Sequence, residues 1–120
     1  MTLKECYENL EGNYEDAVGR LFNEALVKKF LIKFLNDKSY DTLCESLEAD
    51  DYQEAFRAAH TIKGICQNLS FTKLLNSSSS LTEALRPGEK CDVTNLFEEV
   101  KRDYCQTVKA IQALNSEIES

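Results

Sequence analysis

The chain has 120 residues, of which 42% are hydrophobic and 29% charged, so it is long enough for one domain with a single core and too short for two ordinary ones. Its formal net charge of −7 argues against a nucleic-acid partner, because 14 Lys and Arg residues face 21 acids and a phosphate backbone binds a basic stripe. We therefore expect residues 1–120 to form a single domain that binds no nucleic acid.

Apolar residues recur with helical spacing along most of the chain, and no stretch alternates apolar and polar residues for long enough to indicate a strand. Thr2 and Glu5 have the spacing of a capping box, which predicts a short helix that ends at Gly12. Asn13 is placed to cap a second short helix through Leu21.

A third, longer helix is expected to begin after Asn23, which is placed to cap it, and to end near Asp37. Its wide apolar face consists of Leu26, Val27, Phe30, Leu31, Phe34 and Leu35. After Ser39, apolar residues three and four positions apart predict a shorter helix up to about Ala49.

The middle of the chain predicts a helical hairpin. Asp51 and Glu54 form a start signal for a helix at 52–69. Ser70 is placed to cap the next helix, at about 71–86, which implies a tight turn and antiparallel neighbours.

The serine run NSSSS at 76–80 is compatible with a flexible linker or with a helix. We favour the helix, because Leu74, Ser78, Leu81 and Leu85 keep one face across the run and small serines allow close helix approach. Proline and glycine then end this helix at Arg86-Pro87-Gly88.

The last predicted helix covers residues 93–119. Its apolar residues alternate steps of four and three, as in a bundle core or in a coiled-coil dimer seam, at Val93, Phe97, Val100, Tyr104, Ile111, Leu114 and Ile118. We favour the core interpretation and hence a monomer. Together with the helices at 23–37, 52–69 and 71–86, it predicts an all-α, up-down antiparallel four-helix bundle, with the short N-terminal helices capping one end.

Several sequence features bear on the compartment. No apolar run approaches the roughly 20 residues that cross a bilayer, and the start, MTLKECYENLEG, lacks the basic-then-apolar order of a signal peptide. The five cysteines are odd in number and include no CxxC pair, which favours neither a zinc site nor a disulfide framework. We expect a cytoplasmic protein without membrane or metal binding, and Met1 with the terminal helix favours a free-standing one.

His60, the only histidine, lies in the stretch RAAHTIKG at 57–64. On a helical wheel at about 100° per residue, it falls opposite the apolar side of its helix, among Gln53, Arg57, Lys63, Gly64 and Gln67. A glycine in an exposed helical turn costs roughly 1 kcal/mol relative to alanine, and no turn or bulge here requires one. The glycine therefore indicates a demand for space beside the imidazole.

A nitrogen nucleophile that accepts a phosphoryl group needs a rigid support, a neutral form near pH 7, free space and a nearby cation. An exposed histidine populates its neutral form at that pH. Lys63 and Gly64, at i+3 and i+4, are its nearest neighbours on the helix surface. Lys63 can offset the new negative charge, and Gly64 leaves room for the phosphoryl group and a partner.

The residues AAHTIKGICQNL and the surrounding helices resemble the histidine-containing phosphotransfer (HPt) domain, in which a helix carrying A-H-x-L-K-G is followed by small residues and a tight turn into a second helix. The resemblance is sharpest over about residues 52–86. It implies that His60 is phosphorylated and exchanges its phosphoryl group with the aspartate of a response-regulator receiver domain in two-component signalling. It also implies that Lys63 steadies the phosphate and that Gly64 provides space.

The resemblance also implies the partners. Receiver domains are expected, with a hybrid histidine kinase as a further candidate, and the receiver is expected to bring Mg²⁺, so that this chain needs no cofactor. Many family members have a glycine where this chain has Ser70, which leaves the details of the turn open.

Other residues around the histidine have less specific expectations. Gln67, one turn further on, is placed to donate its amide to a phosphate oxygen. Phe56, at i−4, is a candidate for partner docking together with Gln53 and Arg57, and equally a core residue at the edge of the apolar face.

Two alternatives compete with the phosphotransfer hypothesis. A bundle of the same fold can act as an adaptor that binds receivers or other signalling proteins without being phosphorylated. A helical metalloprotein would need Glu-x-x-His pairs, which the sequence lacks. The sequence also lacks a G-x-x-x-x-G-K-[ST] loop, so we expect a phosphocarrier and not an enzyme with its own kinase activity.

Overall fold

The computed structural model describes the backbone of residues 1–119 and the side chains of residues 1–116. This part of the chain forms seven helices and no strand: α1 Leu3–Leu10, α2 Tyr14–Leu21, α3 Glu24–Asn36, α4 Ser39–Glu48, α5 Tyr52–Leu69, α6 Thr72–Leu85 and α7 Thr94–Glu119. The all-α prediction is confirmed. The side chain of Ile118, the last member of the apolar pattern in α7, lies outside the described ones.

The helices pack as an up-down antiparallel bundle, as predicted. Helices α5, α6 and α7 each form one column, while α3 and α4 follow one another along the fourth. Tyr40 of α4 stacks on Tyr104 of α7 with ring centroids 4.0 Å apart. Further along α7, Leu114 lies beside Leu31 of α3. The fourth column was expected from α3 alone, but α4 packs along much of α5.

The break between α3 and α4 has a local cause. Asp37 adopts an extended conformation, with φ −71° and ψ 139°, which ends α3. Its carboxylate then accepts the backbone N–H of Ser39 at 2.8 Å, so that a new helix begins there. The two short segments can therefore follow the bundle without being one straight helix.

Four of the predicted N-terminal caps are confirmed. Each cap side chain accepts the backbone N–H three residues further on, at 2.9 to 3.1 Å; the caps are Thr2, Asn13, Asn23 and Asp51. Thr2 and Glu5 form the complete capping box. Side-chain caps thus fix where α1, α2, α3 and α5 begin.

The predicted cap at Ser70 is wrong. Ser70 ends α5 in the left-handed conformation, with φ 57°, and α6 begins after Phe71 without a side-chain cap. The Ser70 hydroxyl donates to the Asp16 carboxylate of α2 and not to the backbone of α6. The left-handed conformation is the one in which glycine is favoured, and Ser70 adopts it here.

The serine run lies inside α6, as predicted. Ser77 and Ser78 are only 7% and 1% exposed, and their hydroxyls donate to carbonyls one turn back in the same helix. On α7, Val100, Ile111 and Leu114 are buried within the chain's own bundle, as expected for core residues.

The N-terminal helices close the end of the bundle that contains the turn between α5 and α6. The Tyr7 hydroxyl of α1 donates to the Leu69 carbonyl at 2.8 Å, and the backbone N–H of Asn13 donates to the Ser70 carbonyl at 2.8 Å. The predicted capping position of α1 and α2 is therefore confirmed.

Gly12 lies where the loop between α1 and α2 crosses the α5–α6 turn. Gly12→Ala is expected to destabilise the protein by about 1–3 kcal/mol. A Cβ there would lie 2.7 Å from the Ser70 carbonyl oxygen, a backbone atom that cannot turn aside. Gly19→Ala is the matched control: nothing lies within 4 Å of its Cβ position in α2, so a gain of about 0.5–1 kcal/mol is expected. Urea unfolding measures both changes, and a neutral Gly12→Ala would contradict the packing at this turn.

Candidate functional site

His60 projects outward from the middle of α5. The opposite side of this helix is buried and consists of Ala55, Ala58, Ala59, Ile62 and Cys66, each at most 5% exposed. This small-residue side fixes the helix against its neighbours, and the imidazole is exposed, as the helical wheel predicted. The only histidine is thus an exposed imidazole on a well-packed helix.

The side of His60 that faces α6 carries an aromatic ring and an ion pair. Phe56 is half-buried, and its ring centroid lies 5.8 Å from that of His60 at an angle of 53°. The Arg86 guanidinium lies 5.2 Å from the Phe56 ring centroid. Arg86 in turn donates two hydrogen bonds to the Glu83 carboxylate, at 2.7 and 3.0 Å. Phe56 is therefore both an edge residue of the core and a neighbour of His60.

The charges on this side favour an ionised carboxylate. The pKa of Glu83 is lowered, mainly because Arg86 donates to the carboxylate, and Lys63 adds positive charge nearby. Lys63 and His60 of α5 and the Glu83–Arg86 pair of α6 therefore form one electrostatic cluster.

The side of His60 that faces α4 is open at Gly64. A Cβ at this position would meet nothing within 4 Å, so that packing within the chain does not require a glycine there. Arg57 also lies on this side, where it pairs with Glu54 at 2.9 Å and lines a cavity of about 300 Å³ between α4 and α5. Arg57 and Phe56 therefore lie on opposite sides of His60.

The two predicted glutamines lie one turn beyond these residues. Gln67 is exposed towards the C-terminal end of α5, and Gln53 is exposed near its start. The loop after α6 crosses Gln53 closely, since a Cβ on Gly88 would lie 3.0 Å from the Gln53 Cγ. Their predicted roles, with the amide of Gln67 at the phosphate and Gln53 in docking, stay predictions.

Sequence reasoning missed Glu83 and Arg86. The signal was present: in an antiparallel hairpin, residues at similar distances from the turn lie opposite one another. His60 and Glu83 are 10 and 13 residues from Ser70, so the hairpin register brings α6 near the histidine.

Two of the five cysteines, Cys6 and Cys66, are buried. Burial raises the pKa of Cys6 to about 11 and that of Cys66 to about 12. Both thiols therefore stay protonated near neutral pH and are poor nucleophiles.

The described residues contain neither a cluster of metal-ligating side chains nor a membrane-spanning helix. Among the described side chains of residues 1–116, no three His, Cys, Asp or Glu side chains are grouped to hold a metal ion. No helix in the described part of the chain has the length and apolar character needed to span a membrane.

Comparison with known proteins gives one match. The family model of the Hpt domain matches residues 35–119, which covers α4 to α7 and the end of α3. Neither the curated proteins nor the solved structures include a significant match to this chain.

Proposed function

Because the chain belongs to the Hpt domain family, we propose that His60 receives a phosphoryl group from the aspartate of a response-regulator receiver domain and passes it to another. Family membership assigns a histidine phosphotransfer role in two-component signalling in general. One observation carries the specific proposal: the only histidine is exposed on α5, next to Lys63 and to the open space at Gly64.

The transfer step needs only a neutral imidazole. Its unprotonated ring nitrogen attacks the phosphorus of the aspartyl phosphate. The P–N bond forms as the P–O bond breaks, and the aspartate carboxylate leaves with the electron pair. Because phosphoryl transfer depends mainly on positioning and charge stabilisation, a nucleophile on a rigid helix is a sufficient contribution from this chain.

The neighbours of His60 would support this step. Lys63 would balance the charge of the phosphoryl group, and Gly64 would leave room for it and for the receiver. Gln67 would donate its amide to a phosphate oxygen. In this proposal the receiver supplies Mg²⁺ from its own acidic pocket, and the chain is a phosphocarrier without cofactor or kinase activity of its own.

Docking would use the surface around His60. Phe56 offers a half-buried aromatic ring on the α6 side, and Arg57 and Gln53 offer polar groups on the exposed stripe. A receiver that covers this stripe brings its aspartate to the imidazole. A hybrid histidine kinase with a receiver domain would dock in the same way.

Incubation with a radiolabelled phosphoreceiver and Mg²⁺ tests the proposal. Label on this protein is expected to be lost in acid and retained in base, which is the behaviour of a P–N bond. A carboxyl phosphate would be lost in base, and a serine ester would survive acid. An adaptor that is not phosphorylated would bind the receiver without label, and this result with every receiver of a panel would contradict the proposal.

Lys63→Met is expected to slow transfer roughly tenfold, since one charge-assisted hydrogen bond contributes about 1.5 kcal/mol. Lys63→Arg keeps the charge and is expected to retain most of the rate. Lys101→Met, on the exposed side of α7, is the matched control and is expected to leave transfer unchanged. Single-turnover kinetics measure the three rates. Equal slowing by both methionine variants would show that only net charge matters, against a local role for Lys63.

A further inference from the structure

The C-terminal end of α6 places an ion pair beside His60. The proposed phosphoryl transfer does not use this pair. Arg86 and Glu83 are both exposed, at 52% and 57%, and are joined through two hydrogen bonds. The pair is linked to the imidazole through Phe56, whose ring centroid lies 5.2 Å from the Arg86 guanidinium and 5.8 Å from the His60 ring centroid.

The pair has opposite electrostatic effects before and after phosphorylation. Before it, the Glu83 carboxylate is stabilised by Arg86 and Lys63, both of which lower its pKa. After it, a phosphoryl group with about 1.5 to 2 negative charges would lie in the same cluster. The carboxylate would then repel the group, and would compete with it for Arg86.

We propose that Glu83 determines how readily His60 gives up its phosphoryl group, because the carboxylate opposes the charge of phosphohistidine and holds Arg86 in a competing ion pair. This inference rests on the proposed phosphorylation of His60. The Glu83 carboxylate makes the phosphorylated protein a good phosphoryl donor, since repulsion raises the free energy of the phosphorylated state relative to that of the unphosphorylated state. Arg86 has the opposite effect, because its charge favours the phosphorylated state.

The test is the equilibrium distribution of label between this protein and a phosphorylated receiver in the presence of Mg²⁺. Glu83→Gln is expected to shift the distribution towards this protein by about two- to fivefold. Repulsion between two unit charges about 5–10 Å apart in water has this size. Arg86→Gln is expected to shift the distribution towards the receiver by a similar factor. High salt is expected to reduce both shifts.

The opposite signs separate this role from a structural one. Both substitutions break the same ion pair, so a purely structural contribution would move the equilibrium in the same direction. Arg20→Gln, which breaks the exposed Arg20–Asp16 pair of α2, is the control and is expected to cause no shift. Thermal unfolding of each variant confirms that it is folded.

The possible failures are distinguishable. A wild-type protein that takes no label overturns both this inference and the proposed function. A wild-type protein that is labelled normally, with Glu83→Gln unchanged or shifted in the same direction as Arg86→Gln, overturns the role of Glu83 alone.

Discussion

Replacing His60 with glutamine is expected to abolish phosphoryl transfer and to leave the fold intact. Glutamine retains a polar side chain of similar size, but its amide nitrogen is not nucleophilic. The imidazole is exposed and its helix is fixed by residues on the opposite side, so the free energy of unfolding is expected to change by less than about 0.5 kcal/mol.

Labelling by a phosphoreceiver and urea unfolding of the same His60→Gln preparation test this expectation. The fold must be verified together with the activity, because an unfolded variant would lose transfer for a trivial reason. Labelling of His60→Gln at the wild-type level would show that another residue accepts the phosphoryl group.

Substitutions at Gly64 are expected to separate stability from function. Gly64→Ala is expected to stabilise the protein by about 0.5–1 kcal/mol, because alanine favours the helix and the added Cβ meets nothing within 4 Å. Gly64→Gln is expected to remain folded and to slow transfer at least tenfold, since its side chain fills the space beside His60 that the phosphoryl group and the receiver would occupy. The tenfold figure corresponds to about 1.4 kcal/mol of lost transition-state stabilisation.

Gly19 provides the matched control for Gly64. It lies in α2, and a Cβ there also meets nothing within 4 Å. Gly19→Gln is expected to remain folded and to transfer at the wild-type rate. If Gly64→Gln transfers as fast as Gly19→Gln, the glycine is not kept for space at the site.

The helices and the orientation of the site could be predicted because local signals agree with the tertiary structure. Cap residues such as Asn23 and Asp51 act on the next turn of backbone, and their effect does not depend on distant contacts. The alanine-rich side of α5 determines its buried face, and hence the direction in which His60 points. Periodicity was also sufficient to place the serine run of α6 in a helix.

Tertiary contacts decided the features that the sequence did not reveal. Serine is a common N-terminal cap, but the Ser70 hydroxyl donates to the carboxylate of Asp16, which is distant in sequence. The break between α3 and α4 has local signals, but the position of α4 in the same column depends on its packing against α5. The proximity of Glu83 to His60 depends on the register of the hairpin between α5 and α6. The proline after Arg86 predicts only where the helix ends.

Tandem mass spectrometry of the protein after incubation with a phosphoreceiver tests the central claim most directly. The sample is kept at alkaline pH, so that a P–N bond survives digestion. The chain contains one histidine, and the expected result is a single phosphoryl group on His60. A phosphoryl group on any other residue, or none after exposure to a panel of receivers, would contradict the assignment of His60 as the phosphoryl acceptor.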